Sequence, residues 1–136
     1  MNSERARIAT DAYDAWNRGD FEGMIENASP DIEWQTARAF PGVEPVYRGH
    51  TGVRRFWDTM RDAWEFMNIR PTRISEHGDR VLVELHFDAK GRESGVEVEM
   101  DFIQVFTFRD GSVVRIVGYR SLEDARAGEG ISARRE

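Results

Sequence analysis

The sequence predicts an α+β fold, a cone-shaped curved antiparallel sheet wrapped around N-terminal helices, and three observations carry that expectation. Apolar residues recur at helical spacing through the first half of the 136-residue chain, the period changes to two from about Thr72 onward, and no repeat or linker divides the sequence. The length is that of one ordinary domain. Helices that precede a run of strands pack on one face of the sheet, which must curl around them and leaves inside it either solid core or a ligand cavity. The expected organisation is a single domain over residues 1–128 and a flexible tail over 129–136.

The first helix is expected from about Ser3 to Arg18, because Ile8, Ala12, Ala15 and Trp16 share a face flanked by Ala9 and Tyr13. Gly19 tolerates the left-handed conformation that closes a helix, and Asp20 can cap the next one, whose apolar face is Phe21, Met24, Ile25 and Ala28. The triplet Arg18-Gly19-Asp20 therefore reads as a helix stop and a helix start rather than an adhesion signal. "SPDIEWQT" is a short strand with Ile32, Trp34 and Thr36 on one face. "ARAFPGVEPVYRGHTG", with two Pro and three Gly, is expected to be a long loop bordering a site. A third helix is expected where Val53, Phe56, Trp57, Met60, Trp64 and Met67 follow helical spacing, with Arg54, Asp58, Arg61 and Glu65 pairing on the other side and Pro71 ending it.

Val81, Val83, Leu85 and Phe87 then alternate on one strand, and Val96 to Phe108 on a longer one. "RDGS" is a tight hairpin turn and "VVRIVGYR" returns antiparallel, with Val114, Ile116 and Gly118 facing inward. "SLEDARAG" reads as a short last helix and "EGISARRE" as a frayed end.

Composition removes several functions. A formal net charge of −6 gives nucleic acid or anionic membranes no broad reason to bind. The absence of Cys removes disulfides and thiolate chemistry and suits a reducing, cytoplasmic setting. No apolar run approaches the roughly 20 residues of a membrane span, and the opening lacks a signal-peptide core. His50, His77 and His86 show no metal-ligand spacing, so neither a metal nor a cofactor is expected.

The order of elements, with "AWNRGDFEGM", "SPDIEW", "GVRRFWDTM" and "VFTFRDGSVVRIVGY", resembles the nuclear transport factor two-like superfamily, and within it the SnoaL-like, cystatin-like rolls. The resemblance implies the cone fold. It does not imply one activity, since ketosteroid isomerases, polyketide cyclases, dehydratases, epoxide hydrolases and binding modules share the scaffold. By resemblance to the ketosteroid isomerases, Tyr13 takes the place of an oxyanion-hole phenol and Gln104 that of the second donor. Phe56 and Trp57 match an aromatic pair, and Leu85 and Phe87 match pocket positions. Thr36 falls where that family keeps its base, and a Thr hydroxyl is no base near neutral pH. The Asp-Arg-Asp arrangement of the epoxide hydrolases has no counterpart.

Tyr13 alone could be a core tyrosine with a satisfied hydroxyl, and a structural bond between Tyr13 and Gln104 is the plain alternative. Gln104 interrupts an otherwise apolar strand face, so its amide must bond to something: Tyr13, backbone, water or a ligand. His86 should point to the outer sheet face. The candidate donors are thus Tyr13 and Gln104, and the candidate cavity lining is Trp34, Thr36, Phe56, Met60, Leu85, Phe87, Phe102 and Ile116. The expected partner is a small, mostly hydrophobic molecule with a carbonyl or hydroxyl, held by a binding module or turned over by an enzyme of isomerase, cyclase or dehydratase type. A homodimer through the outer sheet face is expected, because Ile103 and Val105 need cover there.

Overall fold

The computed structural model describes residues 3–37 and 42–131. Helix α1 (Glu4–Arg18) starts at Ser3, whose hydroxyl accepts from the Ala6 amide at 3.2 Å. It closes at Gly19 with φ of 77°, where the Asp20 amide donates back to the Ala15 carbonyl at 2.8 Å. The Asp20 carboxylate then accepts from the Gly23 amide at 2.9 Å and opens the single turn α2 (Phe21–Met24). The triplet is the helix junction that its residue types predict. The second helix is shorter than expected: Ala28 already begins strand β1 (Ala28–Gln35).

Part of the expected long loop is ordered as strand β2 (Val46–Arg48), which leads directly into helix α3 (Gly49–Ala63). Residues 38–41 of that loop lie outside the described residues. After α3 come strands β3 (Trp64–His77), β4 (Arg80–Gly91), β5 (Glu97–Arg109) and β6 (Ser112–Tyr119), then helix α4 (Leu122–Glu129). The strands form one curled, unclosed sheet in the order β2-β1-β6-β5-β4-β3. Neighbours are antiparallel except β1 and β6, which run parallel.

The third helix stops earlier than its apolar spacing suggests. Trp64 and Met67 belong to β3, where Met67 and Ile69 alternate inward while Phe66, Asn68 and Arg70 are exposed. Spacings of three and four cannot exclude a strand over so few residues, and the ladder from Trp64–Gly91 to His77–Arg80 supplies backbone bonds that local propensity does not foresee. Pro71 lies inside this strand instead of ending a helix. It is tolerated because β3 is an edge strand and the register shifts between Pro71 and Arg73. Of the expected helical ion pairs, Arg54 and Asp58 meet at 3.7 Å. Arg61 instead donates to the Trp16 carbonyl at 2.6 Å and lies 4.3 Å over the Trp57 ring, tying α3 to the end of α1.

The β5–β6 hairpin turns through Asp110 and Gly111, with φ of 53° and 84°, the pair of positive angles a type I′ turn requires. A bulge between Thr107 and Phe108 pairs Phe108 with Val113, so Val113 faces the core where Val114 was expected.

Ile8, Tyr13 and Trp16 of α1 and Val53, Phe56, Trp57 and Met60 of α3 share one core with Ile32, Trp34, Val83, Leu85, Phe87, Phe102 and Phe106 of the sheet. On the opposite face, Leu82, Ile103 and Val105 pack against Ala125 and Ile131, with Tyr119 and Leu122 beside them. The cover that Ile103 and Val105 need therefore comes from α4 of the same chain, which removes the apolar reason for a second copy on that face. Glu129, with its side chain 3 % exposed, fastens this helix: it accepts from the Tyr119 hydroxyl at 2.5 Å and from Arg80 at 3.2 Å. Arg80 also bonds the Glu129 carbonyl. Gly128 allows the close approach, since a Cβ there would sit 2.6 Å from Cε1 of Tyr119. The expected tail thus divides. Glu129 and Ile131 are packed, and residues 132–136 lie outside the described residues.

Among the described residues no helix is long and apolar enough to cross a membrane.

Candidate functional site

The wide interior of the cone is not solid. A cavity of about 140 Å³ opens between α1, α2 and the concave sheet face. Tyr13, Trp34, Phe56, Met60, Phe87, Phe102, Gln104 and Ile116 all stand on its wall, so the structure brings together eight of the residues singled out from the sequence. Thr36 and Leu85 are not on the wall. β1 ends at Gln35, and Thr36 turns toward the β1–β2 connection, where its hydroxyl donates to the Glu44 carbonyl at 2.7 Å. Leu85 is sealed in the packed core between its cross-strand partners Phe102 and Pro71.

Tyr13 and Gln104 form the polar centre. Helical spacing places Tyr13 on the same face as Ile8 and Trp16, and its ring packs edge-on against Phe106 at 5.8 Å. Gln104 sits midway along β5 between Val83 on β4 and Gly118 on β6. The Tyr13 hydroxyl donates to Oε1 of Gln104 at 2.6 Å. Both residues are buried. Burial pushes the Tyr13 phenol well above its ordinary range, so it stays neutral and can act only as a hydrogen-bonding group. With Oε1 engaged, the Gln104 amide nitrogen keeps its two N–H donors for a cavity occupant. Rotating that amide would exchange the roles, with Gln104 donating to the phenol oxygen and the phenol donating inward.

Charge is confined to the rim. Arg7, Asp11 and Glu26 are exposed residues that line the opening together with Asn27, and Arg7 pairs with Asp11 at 3.2 Å. No carboxylate or imidazole stands on the buried part of the wall among the described residues. The arrangement can hold an apolar body and hydrogen-bond an acceptor oxygen on it. Among the described lining residues the carboxylates, Asp11 and Glu26, stand at the rim.

The sequence left several wall residues unassigned, among them Trp16, Ile25, Ile69, Phe106 and Val113. Trp16 was legible as the residue three after Tyr13 on one helix face, and Phe106 as the residue two after Gln104 on one strand face. Ile69 was hidden by the helix expected in place of β3. Val113 reaches the wall only through the β5–β6 bulge.

His86 lies on the outer face, as expected, and is held between two carboxylates: Nδ1 meets Asp101 at 2.8 Å and Nε2 meets Glu99 at 3.2 Å. The bond to Asp101 raises its pKa. It takes no part in the cavity.

Comparison with curated proteins gives no significant match. Among solved structures, TerC co-crystallised with polyporic acid is 24 % identical, with a TM-score of 0.79 over 92 % of this chain and 97 % of that one. An NTF2-like protein of unknown function from Burkholderia pseudomallei is 20 % identical, with a TM-score of 0.81 over 93 % and 97 %. A protein of ketosteroid isomerase-like fold from Catenulispora acidiphila, in complex with trimethylamine, is 15 % identical, with a TM-score of 0.74 over 100 % and 99 %. These likenesses establish the fold. The family model described as the SnoaL-like domain matches residues 9–116, which take in most of α1, all of α2 and α3, and all but the end of the sheet. The chain belongs to the SnoaL-like domain family, within the nuclear transport factor two-like fold.

Proposed function

We propose that the protein binds a small, mostly hydrophobic molecule bearing a carbonyl or hydroxyl in the cavity of the cone. One observation carries the reading: the amide of Gln104 stands on the wall of an otherwise apolar, open cavity with Oε1 satisfied by Tyr13 and its nitrogen unengaged. The nitrogen is open to the cavity rather than closed in packed protein, so an acceptor oxygen on an occupant would add a hydrogen bond worth about 0.5–1.5 kcal/mol there. The likeness to structures holding polyporic acid or trimethylamine supports a cavity that admits small molecules on this scaffold. A cytoplasmic setting belongs to the same reading, on the ground that the sequence has no cysteine. Self-association is proposed only through what α4 leaves uncovered, a polar groove with Arg70, Glu84, His86 and Asp101, and sedimentation velocity measures it.

A second reading is favoured by the rim carboxylates. In it the protein is an enzyme of isomerase, cyclase or dehydratase type, with Tyr13 and Gln104 polarising a carbonyl and Asp11 or Glu26 taking a proton from the part of the substrate that reaches the opening. Tyr13→Phe and Gln104→Leu variants, assayed for turnover and for the ligand-induced rise in Tm, separate the two. Binding that is lost in Gln104→Leu with no turnover in the parent protein supports the binding module. Turnover that falls in Asp11→Asn or Glu26→Gln supports the enzyme.

A further inference from the structure

The mouth of the cavity carries a charge pattern that the binding-module reading leaves unused. Arg7, Asp11 and Glu26 are exposed around it, and Arg7 is the one cation among the described lining residues. That cation is already taken. Its guanidinium lies between two carboxylates of the same helix, Asp11 at 3.2 Å and Glu4 at 3.5 Å, so the three side chains together carry a net negative charge. Glu26, between α2 and β1, adds another and meets no cation among the described residues.

Exposed acids alone are a solvated rim. What makes these part of a site is the polar group behind them. Gln104 is 7 % exposed, its Oε1 is satisfied by Tyr13, and its amide nitrogen is unengaged on the wall of the same cavity. Asp11 is two residues before Tyr13 on α1 and Glu26 directly follows the wall residue Ile25, so the acidic mouth and the buried donor border one chamber. Its volume of about 140 Å³ is close to the roughly 150 Å³ that holds a benzene molecule in an engineered apolar core. One ring fills it. An occupant bonded at Gln104 by one end therefore presents its other end to the carboxylates.

We infer that the mouth determines specificity by charge: the ligand is a small single-ring amine, with an acceptor oxygen at Gln104 and its ammonium beside Asp11 and Glu26. This rests on the reading of the cone as a small-molecule site. Anions of the same size are disfavoured, because the carboxylates repel them and Arg7 is engaged by Asp11 and Glu4.

Three para-substituted acetophenones of similar size test it by calorimetry on the full chain at low ionic strength. 4-(Aminomethyl)acetophenone supplies the ammonium, 4-(hydroxymethyl)acetophenone is the neutral control, and 4-acetylbenzoate is the anion. The ammonium is expected to bind roughly three- to tenfold more tightly than the alcohol, and the benzoate at least about threefold more weakly, the scale of partly screened pairs at a protein surface. That preference should shrink toward unity in about 0.5 M salt. The double variant Asp11→Asn with Glu26→Gln, both at exposed positions, should bring ammonium and alcohol within about twofold. Glu123→Gln, at an exposed acid on α4 across the sheet, should leave the preference intact. Gln104→Leu should weaken all three probes. Equal binding of ammonium and alcohol, tighter binding of the benzoate, or a preference that survives salt or the double substitution overturns the inference and leaves the cavity reading standing. Failure of all three to bind, or binding indifferent to Gln104→Leu, overturns the cavity reading as well.

Discussion

Tyr13 and Gln104, ninety-one residues apart, are joined by a 2.6 Å hydrogen bond that ties helix α1 to strand β5 inside the cone. The bond has a structural and a functional consequence, and substitutions separate them. Tyr13→Phe leaves Oε1 of Gln104 without its donor, and Gln104→Leu leaves the phenol unpaired. Each is expected to cost about 1–3 kcal/mol by urea unfolding. The double variant removes both ends and should cost clearly less than the sum, because an apolar pair leaves nothing unsatisfied. Additive losses would mean that the two groups act independently.

The α4 latch gives a second expectation. Glu129→Ala removes the buried carboxylate that serves Tyr119 and Arg80, and breaking a buried pair of this kind costs roughly 3 kcal/mol or more. The cavity lies on the other face of the sheet, so the affinity for a small ketone probe such as acetophenone in the surviving folded fraction should change little. Deleting residues 122–136 goes further and uncovers Leu82, Ile103 and Val105. That truncated chain is expected to self-associate in light scattering, whereas the full chain is not driven to do so through these residues.

His86 supplies the pH dependence. Its folded pKa is raised by the bond to Asp101 and by Glu99, so its contribution is fully present below the unfolded value near 6.5 and is lost as pH rises through the raised folded value. The Tm of the parent protein should exceed that of His86→Asn most at about pH 5.5, and the gap should shrink toward about pH 8.5. A gap that widens with pH would contradict the assigned ion pairs. Probe binding in the cavity should not follow this titration, because His86 lies on the outer face.

A fourth expectation concerns how the cavity wall is held. The Asn17 side chain donates to the Ile69 carbonyl at 2.8 Å and accepts from the Ile69 amide at 2.9 Å, closing two backbone groups of edge strand β3 against α1. Asn17→Ala should cost about 1–2 kcal/mol. It should also speed amide exchange at Ile69, which lines the cavity, before it affects β5.

How far the sequence could be read follows from the range of each interaction. The α1 register was legible because Gly19 and Asp20 act within a few residues of where they stand. The same holds for the Asp110-Gly111 turn. The inward set on β4 and β5 followed from alternation alone. Trp64 and Met67 were misplaced because their spacing suits a helix, while the β4 ladder that makes them a strand is a long-range fact. The need of Ile103 and Val105 for cover was correctly read, but its source was not. A short polar-looking segment ending in Glu129 gives no sign that its carboxylate will be buried. At the site, Gln104 stood out as an amide on an otherwise apolar strand face, whereas Tyr13 was picked out by resemblance to the ketosteroid isomerases. Trp16 did not stand out, since an indole on an apolar helix face looks like core, and it lines the cavity only once α1 is set against the sheet.

The central claim is that the cone is a site for a small acceptor-bearing molecule held at Gln104. A crystal structure of the protein soaked with acetophenone tests it most directly. The account predicts density for one ring inside the cavity, with its carbonyl oxygen about 3 Å from the Gln104 amide nitrogen and the Tyr13 bond to Oε1 retained. A cone closed by its own side chains, or a probe found only on the outer surface with Gln104 unchanged, would contradict it.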